Sequence, residues 1–226
     1  MADILDLIQG RRSVKKFLPK FVSWENIAKV IDAARHAPSS GNLQNWKFIT
    51  LFEPGPKENL AKHCYEQYEI AAAGALIVVC GEPEKCERYY GEKGVTKFTI
   101  QNCAAAIQNM LLEAHSLGLG SCWIGAFDEE EVKLLLKIPD EVTVEAIVAI
   151  GYAKEIPEKP PKYPLETVVY FHQWRNKMRD QAKYMNDTAT ILGRRRESAS
   201  KVVHDTVGKI EVAARSVAEK LKKKEE

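Results

Sequence analysis

The sequence predicts one α+β or α/β domain with a central sheet, followed by a basic helical extension. Short apolar runs that suit buried strands alternate with helical patterns, after two opening helices. Hydrophobic residues make up 45% of the chain and charged residues 28%, as in ordinary globular proteins. Residues 1–174 carry 19 Lys and Arg against 23 Asp and Glu, whereas residues 175–226 carry 14 against 8. We therefore expect a folded domain at 1–174 and an extension with its own role at 175–226.

The helices are predicted from apolar residues that recur every three or four positions. The first is expected to end at Gly10, and Ser23 is expected to cap the second. The longest has an apolar stripe that includes Ile100, Ile107 and Leu111. The predicted helices are 2–9, 24–36, 57–72, 98–117, 128–137 and 168–183.

The strands are predicted from short apolar runs bounded by turn residues. Residues 75–80 (ALIVVC) are continuously apolar, which is typical of a strand buried on both faces. The predicted strands are 46–52, 75–80, 121–126 and 142–152. Residues 83–96 and 154–164 are rich in Pro, Gly or charge, so we expect irregular connections there.

The cysteines and the N-terminus exclude several classes of protein. The five cysteines are odd in number and form no C-x-x-C pair, which argues against structural zinc and against a disulfide framework. The N-terminus has no basic-then-apolar signal pattern, and no apolar run reaches about 18 residues. We expect free thiols, no metal site, no membrane span and a cytoplasmic protein.

The basic segment Arg11–Phe17 (RRSVKKF) is the first candidate site. It places four cations and one hydroxyl within six residues. Arginine presents a planar fork that fits phosphate oxygens, and lysine presents a compact point charge. The pattern predicts a phosphorylated planar cofactor, with its phosphate near the two arginines and an electron-rich ring edge near Lys15. A solvated basic turn that binds nothing is the alternative.

The polar loop Ala37–Trp46 is the second candidate site. Its Ser, Asn and Gln side chains offer hydrogen bonds without charge, which is what a uracil-like ring edge needs. A plain capping loop would explain Ser39 and Ser40, but it would not need Asn42 and Gln44. We therefore favour a binding role for this loop.

The glycine-rich stretch Gly118–Gly125 (GLGSCWIG) does not predict a dinucleotide-binding turn. Its glycines do not fit the G-x-G-x-x-G spacing, and it leads from a helix into a strand, the reverse of the required order. The phosphate-loop pattern G-x-x-x-x-G-K-[ST] is also absent from the sequence.

Four segments in order resemble the FMN-dependent nitroreductase family. They are the basic segment, the polar loop, Leu117–Phe127 (LGLGSCWIGAF) and Lys159–Leu165 (KPPKYPL), within a resemblance that spans roughly residues 3–172. The resemblance implies an α+β three-layer sandwich, with a central, mainly antiparallel sheet between helices. It also implies a homodimer that binds FMN at the subunit interface. Asn45 stands where many members have Pro, which predicts a looser turn.

The resemblance also implies which residues of this chain bind FMN. The arginines of the basic segment would lie toward the phosphate and ribityl chain, and Lys15 toward the pyrimidine edge. The polar loop would reach the flavin of the other subunit, and Gly125 and its neighbours would approach the flavin N5. No protein residue is assigned a catalytic role, because the cofactor carries the redox chemistry. The implied set is Arg11, Arg12, Ser13, Lys15, Pro38, Ser39, Ser40, Asn42, Gln67, Ile124, Gly125 and Lys162.

The implied activity is the transfer of hydride from NAD(P)H onto FMN and then to an electron-poor acceptor such as a nitroaromatic or quinone, with ping-pong kinetics. A lid over the flavin is expected around residues 84–97. Two alternatives stay open. One is a flavin-binding scaffold whose basic tail tethers a partner, and the other is an enzyme of the same fold for a specific metabolite, for example in reductive dehalogenation.

The tail carries an apolar heptad stripe between two basic runs. A helix that packs on the domain or on the dimer mate is the favoured interpretation. A self-associating coiled coil and a tether to nucleic acid or an anionic surface are the alternatives, and nucleic acid is disfavoured because no aromatic residues are interleaved. The stripe consists of Val203, Val207, Ile210, Ala214, Val217 and Leu221.

Overall fold

A four-stranded antiparallel sheet in the order β1-β2-β4-β3 organises the fold. The computed structural model describes residues 3–65 and 67–177. The chain divides into two compact units, Met1–Pro160 and Pro161–Glu226, and the sheet belongs to the first. The strands are β1 (Trp46–Leu51), β2 (Ala75–Gly81), β3 (Gly120–Ile124) and β4 (Thr143–Gly151). The helices are α1 (Ile4–Gly10), α2 (Trp24–Arg35), α3 (Pro54–Lys62), α4 (Pro83–Tyr90), α5 (Thr99–Ser116), α6 (Glu129–Leu136) and α7 (Leu165–Val168).

Strand β2 is the centre of the core, and every residue of it is buried. Successive side chains of a strand point to opposite faces of the sheet. Ile77 and Val79 therefore pack with α2 and α5 on one face, where Ile107 and Met110 are fully buried. Residues on the other face of β2 pack beneath α3 and α6 in a second apolar cluster. The predicted three-layer sandwich with an antiparallel sheet is confirmed.

The predicted cap of α2 and the predicted end of α1 are confirmed. The Ser23 side chain accepts a hydrogen bond from the Asn26 N–H at the start of α2, as expected of a helix cap. Asp128 caps α6 in the same way, and α1 ends at Gly10. All five cysteines are free and buried. In the part of the chain that the structure describes, no helix is long and apolar enough to cross a membrane.

Residues 83–96 differ from the predicted irregular connection. They contain α4 and the start of a π-helical turn, Gly94–Phe98, that leads directly into α5. Pro83 suits the first turn of a helix, because its missing N–H would have no partner there. Cys86 supplies a buried face, while Glu84 and Arg88 form an exposed ion pair one turn apart. The prediction was wrong because Pro, Gly and charge do not by themselves exclude a short amphipathic helix.

The predicted helix 57–72 is interrupted. Helix α3 ends at Lys62, and Tyr65 has a left-handed backbone with φ of 43°. A 3₁₀ helix at Tyr68–Ala72 follows. Left-handed backbone cannot continue an α-helix, so the apolar spacing across 57–72 belongs to two elements rather than one.

The second unit is described from 161 to 177. Helix α7 covers only Leu165–Val168, and Val169 has extended backbone. The predicted helix 168–183 is therefore wrong for residues 169–177. Residues 178–226, with the heptad stripe, lie outside the described residues, so the boundary at 174 and the role of the tail stay predictions.

Candidate functional site

The basic segment runs beside β3, one of the two edge strands of the sheet. Ser13 forms a parallel bridge with Ser121, and the Val14 N–H donates to the Ser121 carbonyl at 2.9 Å. Val14 is buried and anchors the segment. A Cβ at Gly120 would lie 2.9 Å from a methyl of Val14, so glycine permits this close approach. The fold thereby holds the charged side chains at the outer edge of β3.

Two of the four cations already have partners within the protein. Arg12 Nη1 donates to the carbonyls of Gln9, Gly10 and Arg11 at 2.8–2.9 Å, which satisfies the C-terminal end of α1. Lys16 Nζ lies 3.0 Å from Glu155 Oε1. The predicted phosphate contact of Arg12 therefore competes with a structural role.

The other two cations, Arg11 and Lys15, form no ion pair with any carboxylate in the described residues. Arg11 is half-buried, and its Nη1 lies 3.5 Å from the hydroxyl of Ser13. Burial raises the pKa of the Cys122 thiol, and the charges of Lys15 and Arg11 oppose that rise. Both cations therefore lie close to the same point of β3. They leave an uncompensated positive field there, which attracts an anion.

A cavity of about 150 Å³ lies beside the two arginines. His115 and Ser121 also line it, and neither residue was among the predicted site residues. Ser121 is 1% exposed, and its hydroxyl has no hydrogen-bond partner among the described residues. A buried hydroxyl without a partner is unusual in a folded protein. A Cβ at Gly10 would lie 2.8 Å from His115 Nε2, a contact between residues distant in sequence, so no local sequence pattern indicates His115.

Three further predicted residues meet at the far end of β3. Gln67 Nε2 donates to the Cys64 carbonyl at 2.9 Å and to the Ala126 carbonyl at 3.3 Å, which holds it against the loop after Ile124 and Gly125. Ser121 and Gly125 are four residues apart, or about 13 Å along the strand direction. We call this row of residues the β3 edge site; it consists of Arg11, Ser13, Lys15, Gln67, Ile124 and Gly125.

The donor set of the β3 edge site fits a phosphorylated planar cofactor such as FMN. Its cations can meet phosphate oxygens and an electron-rich ring edge. The Gln67 amide and the exposed backbone at Gly125 add hydrogen-bonding groups without charge at the other end. The small cavity beside Arg11 is below the range of about 300–1,000 Å³ for whole-ligand pockets, so it suits one end of such a molecule rather than all of it.

The polar loop lies at the N-terminal end of α5. The backbone N–H and hydroxyl of Ser40 donate to Asn102 Oδ1 at 2.9 and 3.1 Å, and Asn102 Nδ2 donates to Asn45 Oδ1 at 2.8 Å. Asn45 is fully buried and donates in turn to Thr99 Oγ1 and to the Glu82 carbonyl. The Glu82 N–H donates back to the Asn45 carbonyl at 2.7 Å. The predicted looser turn is therefore wrong, because four hydrogen bonds to three residues fix Asn45 in place of a proline ring.

The backbone of the polar loop is also unusual. Gly41, Asn42 and Gln44 have φ of 58°, 56° and 46°, in the left-handed region. A Cβ at Gly41 would lie 2.8 Å from the Tyr90 hydroxyl, so α4 packs closely on the loop. Asparagine tolerates this backbone better than most residues. Pro38 and Asn42 are exposed and Ser39 is half-buried, so the tip of the loop is accessible to a ligand.

The first unit does not bring the polar loop and the arginine end of the β3 edge site together. The loop is bonded to Asn102 near the start of α5, whereas Gly10 and Arg11 lie beside His115 near its end. Thirteen residues of α-helix span about 20 Å. Within one chain the two groups therefore cannot contact the same end of a ligand.

Lys162 lies in the second unit, in the irregular segment before α7, and is exposed. Its predicted contact with a phosphate stays a prediction.

Comparison with known proteins identifies the relatives of this chain. The model of the family described as "Nitroreductase family" matches residues 8–82 and 55–152, well over half of the chain. The chain belongs to the nitroreductase family. A relative from Archaeoglobus fulgidus, provisionally named NADH dehydrogenase/NAD(P)H nitroreductase, is 34% identical over 159 residues, which are 69% of this chain and 88% of the relative.

Solved structures of this nitroreductase family agree with the fold. One, provisionally named NADH dehydrogenase/NAD(P)H nitroreductase from Parabacteroides distasonis, is 28% identical with a TM-score of 0.68 and covers 77% of this chain and 100% of its own. An FMN-dependent nitroreductase from Clostridium difficile is 27% identical with a TM-score of 0.65 and covers 75% and 99%. The resemblance inferred from the four segments is thus confirmed, although Lys162 lies outside the residues that the family model matches.

Replacing Asn102 by Ala should lower the free energy of unfolding by about 1–3 kcal/mol, because the donors of Ser40 and the Oδ1 of buried Asn45 lose their partner. The midpoint of urea unfolding measures this. The exposed neighbour Gln101→Ala is the control and should change the midpoint little. Equal midpoints for the two variants would show that the network does not stabilise the loop.

Proposed function

We propose that this protein is an FMN-dependent oxidoreductase that takes hydride from NAD(P)H and reduces an electron-poor small molecule, such as a nitroaromatic or a quinone. The observation that carries the proposal is the β3 edge site, where Arg11 and Lys15 have no carboxylate partner among the described residues. Family membership supports the redox chemistry. Among the relatives whose names specify a cofactor are an NAD(P)H nitroreductase and an FMN-dependent nitroreductase.

Three side chains of the β3 edge site have a role in this proposal. Arg11 binds the phosphate end of the cofactor, since a guanidinium fork matches phosphate oxygens. Lys15 lies toward the pyrimidine edge of the ring, where a cation stabilises the negative charge that builds up on reduction. Gln67 orients the polar edge of the ring by hydrogen bonding. Bound FMN would supply the hydride-accepting ring itself, so no side chain needs to act as a nucleophile.

The proposal includes a homodimer in which the polar loop of one subunit completes the site of the other. The separation of about 20 Å along α5 supports this arrangement. Helix α1 supports it as well, because none of its residues is buried and Ile4, Leu5 and Ile8 are 71%, 54% and 48% exposed. Exposed apolar rows of this kind usually mark a protein interface.

The purified protein, after incubation with FMN and removal of the excess, should keep the yellow flavin absorbance. Under anaerobic conditions NADH or NADPH should bleach this absorbance, and a quinone or nitroaromatic should then restore it. The stopped-flow absorbance of the bound flavin is the measurement. A protein that retains FMN but is bleached by neither nicotinamide would contradict the oxidoreductase proposal.

Replacing Arg11 by Ala should weaken FMN binding by about one to two orders of magnitude, as expected for loss of a charge-assisted contact. Riboflavin, which lacks the phosphate, should bind both proteins alike. Quenching of flavin fluorescence on titration measures both affinities. Lys16→Ala is the matched control, since it removes the same charge from a neighbouring residue that is already paired with Glu155. A phosphate bound elsewhere would leave the FMN affinity of the Arg11 variant unchanged.

Subunit mixing should test the shared site directly. Arg11→Ala breaks one half, and Asn42→Asp places a carboxylate in the other half while tolerating the left-handed backbone. In a mixed dimer one site receives both changes and the other receives neither. Unfolding and refolding an equal mixture should therefore give heterodimers with one site of wild-type affinity. A site built within a single chain predicts no recovery in the mixture.

A further inference from the structure

A second cavity, of about 400 Å³, lies in the first unit, and it shares no residue with the candidate flavin residues. Its walls come from Pro19–Phe21, from the start of α3 and from Ala71–Gly74. Its volume is within the range of about 300–1,000 Å³ that is typical of small-molecule pockets. We call it the Lys57 cavity, after the buried cation in its wall.

Lys57 is a charged side chain that is buried like a core residue. Its side chain is 7% exposed, and its Nζ donates to the Ala73 carbonyl at 2.5 Å. An ammonium has three N–H groups. In the described part of the chain no carboxylate lies within ion-pair distance of Lys57, and Glu53 and Glu58 act on it only from farther away. One neutral carbonyl does not compensate an ammonium for lost water, so a bound anion would stabilise it.

The rest of the Lys57 cavity offers apolar surface and a second cation. Phe21 is 74% exposed, and the half-buried Phe52 ring lies edge-on to Trp24 with centroids 6.0 Å apart. Lys20 Nζ lies 4.1 Å from the centre of the Tyr152 ring and has no carboxylate partner among the described residues. Aromatic side chains in such a wall favour a flat apolar ligand.

Small residues form one wall of this cavity. Ala71, Ala72, Ala73 and Gly74 follow one another along one wall. A Cβ at Gly74 would collide with the Val22 side chain, so the chain at Val22 lies directly against the backbone there. Ala72 is exposed and Ala71 half-buried, whereas Ala73 and Gly74 are buried. This wall is therefore formed by backbone and small side chains.

We propose that the Lys57 cavity binds an aromatic monocarboxylate. The carboxylate would accept hydrogen bonds from the N–H groups of Lys57 that do not face Ala73, and the ring would pack against Phe21 and Phe52. Lys57 and Lys20 against the single acidic residue Glu58 leave one net positive charge in the wall, which matches one negative charge on the ligand. The site is independent of the proposed flavin chemistry, because its residues belong to neither half of that site.

The test uses the full chain loaded with FMN, with benzoate as the probe and benzamide as its uncharged counterpart. The assigned methyl signals of Ala71, Ala72 and Ala73 report on the cavity, and the flavin absorbance reports separately on binding over the flavin. Benzoate should shift these methyl signals in a saturable way, and benzamide should bind at least about tenfold more weakly. Lys57→Met should reduce the benzoate affinity by at least about tenfold. Lys62→Met removes a lysine of the same helix that is exposed and bonded to Asn59, and it should change nothing.

A second variant covers the case in which Lys57→Met does not fold. Phe21→Ala removes an exposed ring, so it should leave the thermal unfolding midpoint unchanged. It should still lower the affinity for benzoate severalfold. The proposal would be overturned if benzoate changed only the flavin spectrum and left the alanine methyl signals unshifted. It would also be overturned if the wild type and Lys57→Met bound benzoate with equal affinity. A protein that takes up no FMN would contradict the proposed function, and the cavity is then tested by the same methyl signals in the flavin-free protein.

Discussion

The packing of α5 across one face of the sheet determines where the functional groups of the first unit lie. At its C-terminal end, Gly10 allows the basic segment to approach His115. At its N-terminal end, Asn102 accepts both hydrogen bonds from Ser40 and holds the polar loop. A buried helix of 18 residues is rigid on the scale of a ligand. Groups fixed to its two ends therefore cannot approach each other within one chain.

The energetics of the basic segment follow from how its charges are distributed. Four cations that all faced solvent together would repel one another, and binding an anion would mainly relieve that repulsion. Instead, the end of α1 satisfies Arg12, and Glu155 satisfies Lys16. Within residues 3–65 and 67–177, this leaves Arg11 and Lys15, four positions apart in sequence, without a carboxylate partner. Such a pair provides a directed field at the edge of β3 rather than a diffuse positive patch.

The sequence predicted those parts of the fold in which local pattern and tertiary environment agree. The apolar run 75–80 identified the buried central strand, and the spacing of apolar residues identified α5. Prediction failed at Tyr65, where a left-handed residue divides one apolar pattern between two helices, and at 83–96, where a short amphipathic helix has the composition of a loop. Asn45 was misread for a related reason: its partners are distant in sequence, so its burial is invisible locally.

The candidate site was likewise predictable only where local sequence pattern determines it. A cluster of cations and hydroxyls is a property of the sequence, so the basic segment and the polar loop were found. Which cations are already paired depends on long-range contacts, such as that of Lys16 with Glu155. Lys57 also could not be identified from the sequence, because its role depends on burial rather than on a local pattern. It lies in an ordinary charged stretch, and only the fold removes it from water and leaves it with a single carbonyl partner among the described residues. A lysine thus becomes a candidate ligand-binding group when the fold buries it without a carboxylate to pair with its charge.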